Sequence, residues 1–362
     1  MCCKGIAENN TFIEKEGNMR QLFYTPEGMQ LKTDAPEPQI VRPDEVKIKV
    51  HYCGICGSDL HIDRKELDYL TFVGGNYFPM GHEASGVITE LGPEADTKDL
   101  QVGDHVVYYF NEHCGKCHYC RNGQEHLCLN MRINQSAMSD YIVVGEQAVF
   151  KLDDDIPMQK AIFHEPISVC LHGIDMAGIK PGNTVLISGG GAIGLIILQL
   201  AKKSGATSLT LSEPIAWKRE VAKELGAMYT IDPVNQDITE EMEKITGGLG
   251  FDVVIEASGS TNAVQGCYES TGRGGLLEFF AALYDFSYDF PLNLQHAFWN
   301  EIRLVGGVYQ SPYEWPRTMR LFKEMNWEPF RIDESIFEIE DFKAAFEAQK
   351  SGKTIKSILK FV

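Results

Sequence analysis

The run Thr184-Val185-Leu186-Ile187-Ser188 passes directly into Gly189-Gly190-Gly191-Ala192-Ile193-Gly194 and then into a helical pattern from Leu195 to Lys203. A continuous apolar strand of this kind is buried on both faces, which calls for a parallel sheet covered by helices. Gly189, Gly191 and Gly194 stand in the order Gly-x-Gly-x-x-Gly. With Ala192 and Ile193 between them, they let the backbone and a helix N-terminus approach a pyrophosphate. A second strand, Ser208-Leu209-Thr210-Leu211-Ser212, ends in Glu213, 19 residues beyond the last glycine. A carboxylate there takes both hydroxyls of an adenosine ribose and repels a 2′-phosphate, so NAD is expected rather than NADP. Lys218 and Arg219 are the nearby features that would suit NADP, and Arg219 is counted with the cofactor-binding residues.

The alternation continues. Strands are expected at 229–232, 251–257, 275–280 and 302–306, with helices at 217–226, 238–246 and 262–270. Six strands with interleaved helices make a doubly wound α/β sheet. Ala281 to Trp299 is rich in aromatics without clear periodicity, and reads either as a loop over the cofactor cleft or as an oligomer contact.

From Met19 to about residue 150 the chain reads instead as all-β. Glu45-Val46-Lys47-Ile48-Lys49-Val50-His51-Tyr52 alternates polar and apolar side chains, the period of a half-buried strand. Within this region Cys114, Cys117, Cys120 and Cys128 follow a C-x2-C-x2-C-x7-C spacing. Four thiolates on one short loop can close around a tetrahedral zinc and leave no position for substrate, so this lobe reads as structural zinc. His113, His118 and His126 are then lobe surface rather than ligands. A different set lies upstream, in Cys56-Gly57-Ser58-Asp59-Leu60-His61 followed by Gly81-His82-Glu83, on what read as loops between strands. A thiolate, an imidazole and a carboxylate are the donors that hold a zinc ion with one position open.

Composition narrows the partners. Lys+Arg 33 against Asp+Glu 51 gives a net charge of -18, which repels phosphate backbones, so neither nucleic acid nor an anionic membrane is expected as a partner. No apolar run approaches the ~20 residues that cross a bilayer. Residues 1–18 are polar, lack the apolar core of a signal peptide and read as an N-terminal extension, with Met19 an alternative start. A cytoplasmic protein is expected, in which clustered cysteines bind metal rather than form disulfides.

Taken in order, Gly54 to His61, Gly81-His82-Glu83, the four-cysteine lobe, Glu165-Pro166 and the glycine fingerprint resemble the zinc-containing medium-chain dehydrogenase/reductase family. Within it the resemblance is to the polyol (sorbitol-like) and threonine dehydrogenases. It implies a Rossmann domain, residues 169–307, inserted in a GroES-like β catalytic domain made of 19–168 and 308–362, with the zinc lobe at 111–130. It also implies two zinc ions per subunit and a homo-oligomer, tetramer or dimer. By the same resemblance Cys56 and His82 are catalytic zinc ligands, and Glu83 is a ligand in some members and an exchangeable neighbour in others. Glu165 supplies a ligand or the carboxylate that binds the metal's water; alcohol dehydrogenases of the family have cysteine there, so glutamate points to polyol- or threonine-type members. Ser58 accepts the alcohol proton and His61 passes it on, an imidazole being suited to that task.

The implied activity is hydride transfer between NAD and a secondary alcohol of a polyol, sugar or cyclitol, with L-threonine or an amino-polyol as the alternative substrate. Sorbitol dehydrogenases usually carry an arginine shortly before a Trp-Pro pair, whereas here Gln310 precedes Trp315-Pro316. Tyr309, Gln310 and Glu314 are therefore either substrate-facing or ordinary solvent-facing residues. A nucleic-acid-binding zinc ribbon conflicts with the acidic charge. A catalytically silent NAD-binding protein leaves Cys56, Ser58, His61, His82 and Glu165 without a role.

Overall fold

Val185, Leu186 and Ile187 are fully buried because their strand, Thr184–Ser188, has a parallel neighbour on each side, Ser208–Ser212 and Phe251–Glu256. The computed structural model of the protein describes residues 18–66, 70, 75, 77–95, 98–284 and 287–362. The chain divides into two units. One comprises the described residues up to Glu165 together with Ser311–Met319 and Arg331–Val362; the other comprises Pro166–Gln310 and Arg320–Phe330.

The second unit holds a six-stranded parallel sheet in the order Tyr229–Ile231, Ser208–Ser212, Thr184–Ser188, Phe251–Glu256, Thr271–Phe279, Arg303–Gly306. The order runs outward in both directions from Thr184–Ser188, which is the doubly wound arrangement expected. The reversal beside that strand opens the crevice where such sheets bind ligands, at the carboxyl ends of the strands. Leu186, Val254 and Leu277 pack on Phe251, Cys267 and Tyr268 in one core, each buried aliphatic or aromatic side chain contributing about 1.5–3 kcal/mol. The neighbour of Leu277 on the opposite face is Glu278, fully buried, with neither carboxylate oxygen hydrogen-bonded among the described residues. Burial alone pushes its pKa up to about 8.

The stretch 281–299 is not loop throughout. Leu294–Trp299 is a helix, started by the Asn293 side chain, which accepts from the His296 N–H at 3.0 Å. One and a half turns are too short for a helical period to show in sequence. Phe298 and Trp299 stand 71% and 74% exposed, and residues 285–286 lie outside the described residues.

The first unit is β-rich. Its largest sheet runs Val149–Lys151, His105–Tyr108, Glu83–Leu91, Glu45–Gly54, Ile358–Lys360, Ile336–Glu338, with Tyr141–Gly145 also pairing with Glu45–Gly54. The central strand differs from its alternation pattern. Glu45 and Lys47, on the side expected to face water, are 3% and 6% exposed. Each is covered because it has a charged partner: Glu45 accepts from Arg42 at 3.0 Å and Lys47 pairs with Glu37. The Cys56–His61 motif is also not a loop. Gly57–Asp63 is a helix with Cys56 as its N-cap, and Asp59, at the third helical position, accepts the Cys56 N–H at 2.8 Å. The motif reads as loop in the sequence because that carboxylate's capping role is invisible without the backbone.

Candidate functional site

Cys56 leaves the end of strand Glu45–Gly54 just as Glu83 opens strand Glu83–Leu91, and Gly54 pairs with Glu83 across the sheet. That register brings the two sequence motifs together. One donor atom each from Cys56, His82 and Glu83 lies within 4.8 Å of the others, a group able to hold a metal ion. His82 is 6% exposed and its ring lies against Phe110, centroids 4.8 Å apart. Burial opposes a charge on the imidazole, but Cys56, Asp59 and Glu165 outweigh it and carry its pKa up to about 10. A thiol and carboxyl groups gathered round one buried imidazole make a pocket suited to a cation. The donor set, soft thiolate with imidazole and carboxylate, suits zinc.

Glu165 is in the first turn of helix His164–Ala177 and 6% exposed. It is outside the 4.8 Å group but near enough to raise both His82 and Lys356. His164 is fully buried, donates Nδ1–H to the Ala161 carbonyl at 2.9 Å, and is pushed down to about 4 by burial. A histidine kept neutral and tied to its own turn is a packing residue. Ser58 and His61 stand three residues apart on helix Gly57–Asp63 and so share a face; both are partly exposed, and His61 Nδ1 hydrogen-bonds Glu66. Asp59, beneath them, is pushed up to about 6 by burial.

Reading the sequence missed Lys356. It is 5% exposed and donates to both Glu83 oxygens at 2.7 Å. The two residues lie 273 positions apart, and they meet because strand Ile358–Lys360 pairs with Tyr52 to Gly54. Nothing in the order of polar and apolar residues from Thr354 to Lys360 marks it, because that order carries no trace of a partner 273 residues away.

The lobe cysteines form a second group. Cys114, Cys117, Cys120 and Cys128 also offer sulfurs within 4.8 Å of one another, Cys117 and Cys120 at 3.4 Å. Backbone N–H groups of Cys114 and Asn130 point at Cys128 Sγ, at 3.3 and 3.4 Å, as they do where a loop stabilises thiolate charge. Donation from the Lys116 backbone is the largest of the effects that bring Cys114 down to about 6. All four donors are protein sulfurs, so a metal held here is closed to substrate.

In the second unit Gly191 is the N-cap of helix Ala192–Lys203, Ile193 is partly buried, and a Cβ on Gly194 would stand 1.8 Å from the Gly189 carbonyl oxygen. Only glycine fits that close turn. Glu213, at the end of the adjacent strand, accepts the Gly190 N–H at 2.7 Å and the Ile215 N–H at 2.9 Å. Arg219 is occupied: it donates to the carbonyls of Glu213 and Pro214, at 2.7 and 2.8 Å, and pairs with Asp232 at 3.0 Å. Lys218 is 8% exposed, pushed down by burial with Glu213 opposing.

Of the residues before and after Trp315, Gln310 is fully buried and Glu314 is 7% exposed. Glu314 accepts the Ser311 N–H at 2.5 Å, which uses its carboxylate to close the turn before helix Trp315–Phe322. Solvent-facing is thus the wrong description of both. Tyr309 holds a left-handed backbone, φ 59°, unusual for a bulky residue.

The family described as Alcohol dehydrogenase GroES-like domain matches residues 42–154, and that described as Zinc-binding dehydrogenase matches 192–324. The chain is 34% identical to the L-threonine 3-dehydrogenase of Pyrococcus horikoshii over 91% of its own length and 93% of that protein. It is 34% identical to the sorbitol dehydrogenase of Bacillus subtilis, covering 78% of this chain and 79% of the other. Among solved structures it resembles galactitol-1-phosphate dehydrogenase from Escherichia coli, with TM-score 0.82, 27% identity, and coverage of 94% of this chain and 100% of that one.

Proposed function

The chain belongs to the zinc-containing medium-chain dehydrogenase/reductase family, and from that premise we propose that it is a zinc- and NAD-dependent dehydrogenase acting on a secondary alcohol of a polyol, sugar or cyclitol. The observation that carries the reading is the gathering of half-buried Cys56 with buried His82 and Glu83 into one group of metal-ligating donors, near Glu165. Cys56 and His82, with Glu165 or Glu83, would hold the catalytic zinc, and the four lobe cysteines the structural one. A zinc ion so held would supply Lewis acidity that brings an alcohol's pKa towards neutrality, and bound nicotinamide would accept the hydride. Ser58 takes the alcohol proton and His61 hands it to solvent, Glu66 steadying the imidazole. The domain roles follow: GroES-like chemistry in the first unit, NAD binding in the second. L-Threonine is the second substrate to weigh, favoured by the 34% identity to the archaeal threonine dehydrogenase over 91% of the chain.

The test is a panel of polyols, cyclitols, their phosphates, amino-polyols and threonine, scored by nicotinamide absorbance with NAD and NADP. Reduction of NAD by at least one secondary alcohol is expected; silence across the panel with zinc-loaded protein would remove the assignment. Glu213 supports NAD, because a carboxylate at the end of this strand repels a 2′-phosphate and the guanidinium of Arg219 is engaged by the Glu213 and Pro214 carbonyls and by Asp232. Glu213→Ala should therefore lower the NAD over NADP ratio of kcat/KM by about 10–100-fold, the scale of one charged hydrogen-bonding pair. A wild type that prefers NADP would contradict it.

A homo-oligomer is part of this reading. Leu294, Phe298 and Trp299 are 70–74% exposed, and Arg303–Gly306 is an edge strand with one side unpaired among the described residues. Apolar rings beside an open strand edge suit a second copy meeting the first symmetrically. Trp299→Glu should lower the mass seen by light scattering, and an unchanged mass would exclude that surface. Among the described residues no helix is long and apolar enough to cross a membrane, and all eight cysteines are free thiols. The cytoplasmic location remains part of the proposal, and cell fractionation checks it.

A further inference from the structure

Glu83 belongs to the group of donor atoms within 4.8 Å of one another, yet both of its oxygens are already held by a cation. Lys356 Nζ donates to Oε1 and Oε2 at 2.7 Å and to the Ile55 carbonyl at 3.1 Å, so its three N–H bonds are all directed into the protein. The side chains are 4% and 1% exposed. The backbone makes room for the pair, since a Cβ on Gly54 would stand 2.5 Å from Glu83 Oε2 and 3.4 Å from Lys356 Cδ. The approach of Lys356 is fixed as well. Ile55 N–H donates to the Ser357 carbonyl at 3.0 Å, and Gln349 donates to the Ile55 carbonyl at 2.8 Å and accepts the Ser357 N–H at 2.6 Å.

We propose that Lys356 is a positioning residue for the metal centre, a fixed counter-cation that clamps Glu83 so that this carboxylate stays off the ion and a position remains for substrate. The proposal rests on the reading of Cys56 and His82 as ligands of a catalytic zinc, and takes Glu165, of the two carboxylates, as their companion, with Glu83 outside the ligand set. Charge counting shows what the clamp does. A dication with one thiolate and the Glu165 carboxylate is neutral, whereas adding Glu83 makes the centre anionic and sets it against the negative charge that develops on the substrate oxygen. Without the ammonium, Glu83 is a buried unpaired carboxylate whose nearest available cation is the metal, and an unpaired buried charge takes whatever partner it can reach. Lys356 therefore acts through Glu83 and touches neither substrate nor cofactor.

The experiment uses the full chain loaded with zinc, and in parallel with cobalt(II) as the spectroscopic probe, in wild type, Lys356→Met, Glu83→Gln and the Lys356→Met/Glu83→Gln double variant. Lys356→Met should keep the wild-type metal stoichiometry, alter the cobalt d–d bands in the absence of substrate, and lose about 100-fold in turnover. The double variant should recover the wild-type bands and most of the turnover, because without a carboxylate at 83 the lysine has nothing to restrain. An unaltered cobalt spectrum in Lys356→Met overturns the proposal, as does a double variant no better than the single one. Should Lys356→Met fail to fold, the double variant, which buries no unpaired charge, is compared with Glu83→Gln. Equal spectra and turnover support the clamp, and a further large loss refutes it. A wild type holding one metal that survives Cys56→Ser would instead refute the metal reading itself, a distinct failure.

Discussion

Cys56→Ser should yield a folded protein that has lost one of the two proposed metal ions and about 10³–10⁴-fold in turnover, several kcal/mol being what Lewis-acid stabilisation supplies. The fold survives for a local reason. Cys56 is the N-cap of helix Gly57–Asp63, and serine is among the best residues at that position, while Asp59 can still accept the backbone N–H of residue 56. What serine cannot replace is the soft, charged donor, and His82 with a carboxylate makes a poorer zinc site than one with a thiolate. Cys117→Ser should behave in the opposite way. Its loop is organised by four sulfurs with little apolar core of its own, so losing that metal should lower the unfolding temperature before it touches chemistry. Metal content by mass spectrometry, thermal unfolding and turnover on both variants separate the two sites; a Cys56→Ser protein that keeps both ions and its activity would dismiss the catalytic assignment.

Glu278 gives the second large effect, on stability rather than turnover. Its carboxyl is wedged between helix and sheet, Oε1 standing 3.0 and 3.2 Å from where a Cβ on Gly173 or Gly307 would be. Among the described residues nothing charged compensates it, and burial raises its pKa from 4.5 to about 8. Between those values the folded protein keeps a proton that the unfolded chain releases. Stability is thus fully present below the unfolded pKa and falls as pH rises towards the folded one, by about 1.4 kcal/mol per pH unit and on the order of 3–5 kcal/mol in all. Glu278→Gln should flatten the profile between about pH 5 and pH 8, and Glu278→Leu should make the protein more stable than wild type at pH 8. Denaturant titrations across that window decide it. A Glu278→Gln profile parallel to wild type would show that the carboxyl is not the group responsible.

The parts legible in the sequence were those in which the physics is local. Four cysteines within 15 residues define a lobe whatever surrounds them, and a strand running into Gly189 to Gly194 needs only its own helix to be recognised. Cys56 and His82 were readable as an ordered pair, but that they share a pocket depended on the register of Gly54 with Glu83, which strand patterns do not encode. The rest failed where a distant charge decides. Lys47 looked solvated until Glu37 covered it, Glu314 looked available until its backbone neighbour at Ser311 claimed it, and Lys356 had no signal at all because its partner is 273 residues away. Period-2 alternation reports which side chains share a face, not whether that face meets water or an opposite charge.

The pairing of Ile358–Lys360 with Tyr52 to Gly54 sets an order of events during synthesis. As the chain emerges from the ribosome, the six parallel strands of Pro166–Gln310 are complete while Glu45–Gly54, already able to pair with Glu83–Leu91 and Tyr141–Gly145, still lacks Ile358–Lys360, so the parallel sheet can form before the other sheet closes. Cys56, His82 and Glu83 then wait some 270 residues for Lys356. If Cys56 and His82 hold zinc as proposed, an ion captured in that interval would meet Glu83 as an unrestrained third donor until the last strand arrives, so the metal centre would be a late product of translation, its assembly slowed by anything that delays the closing strand.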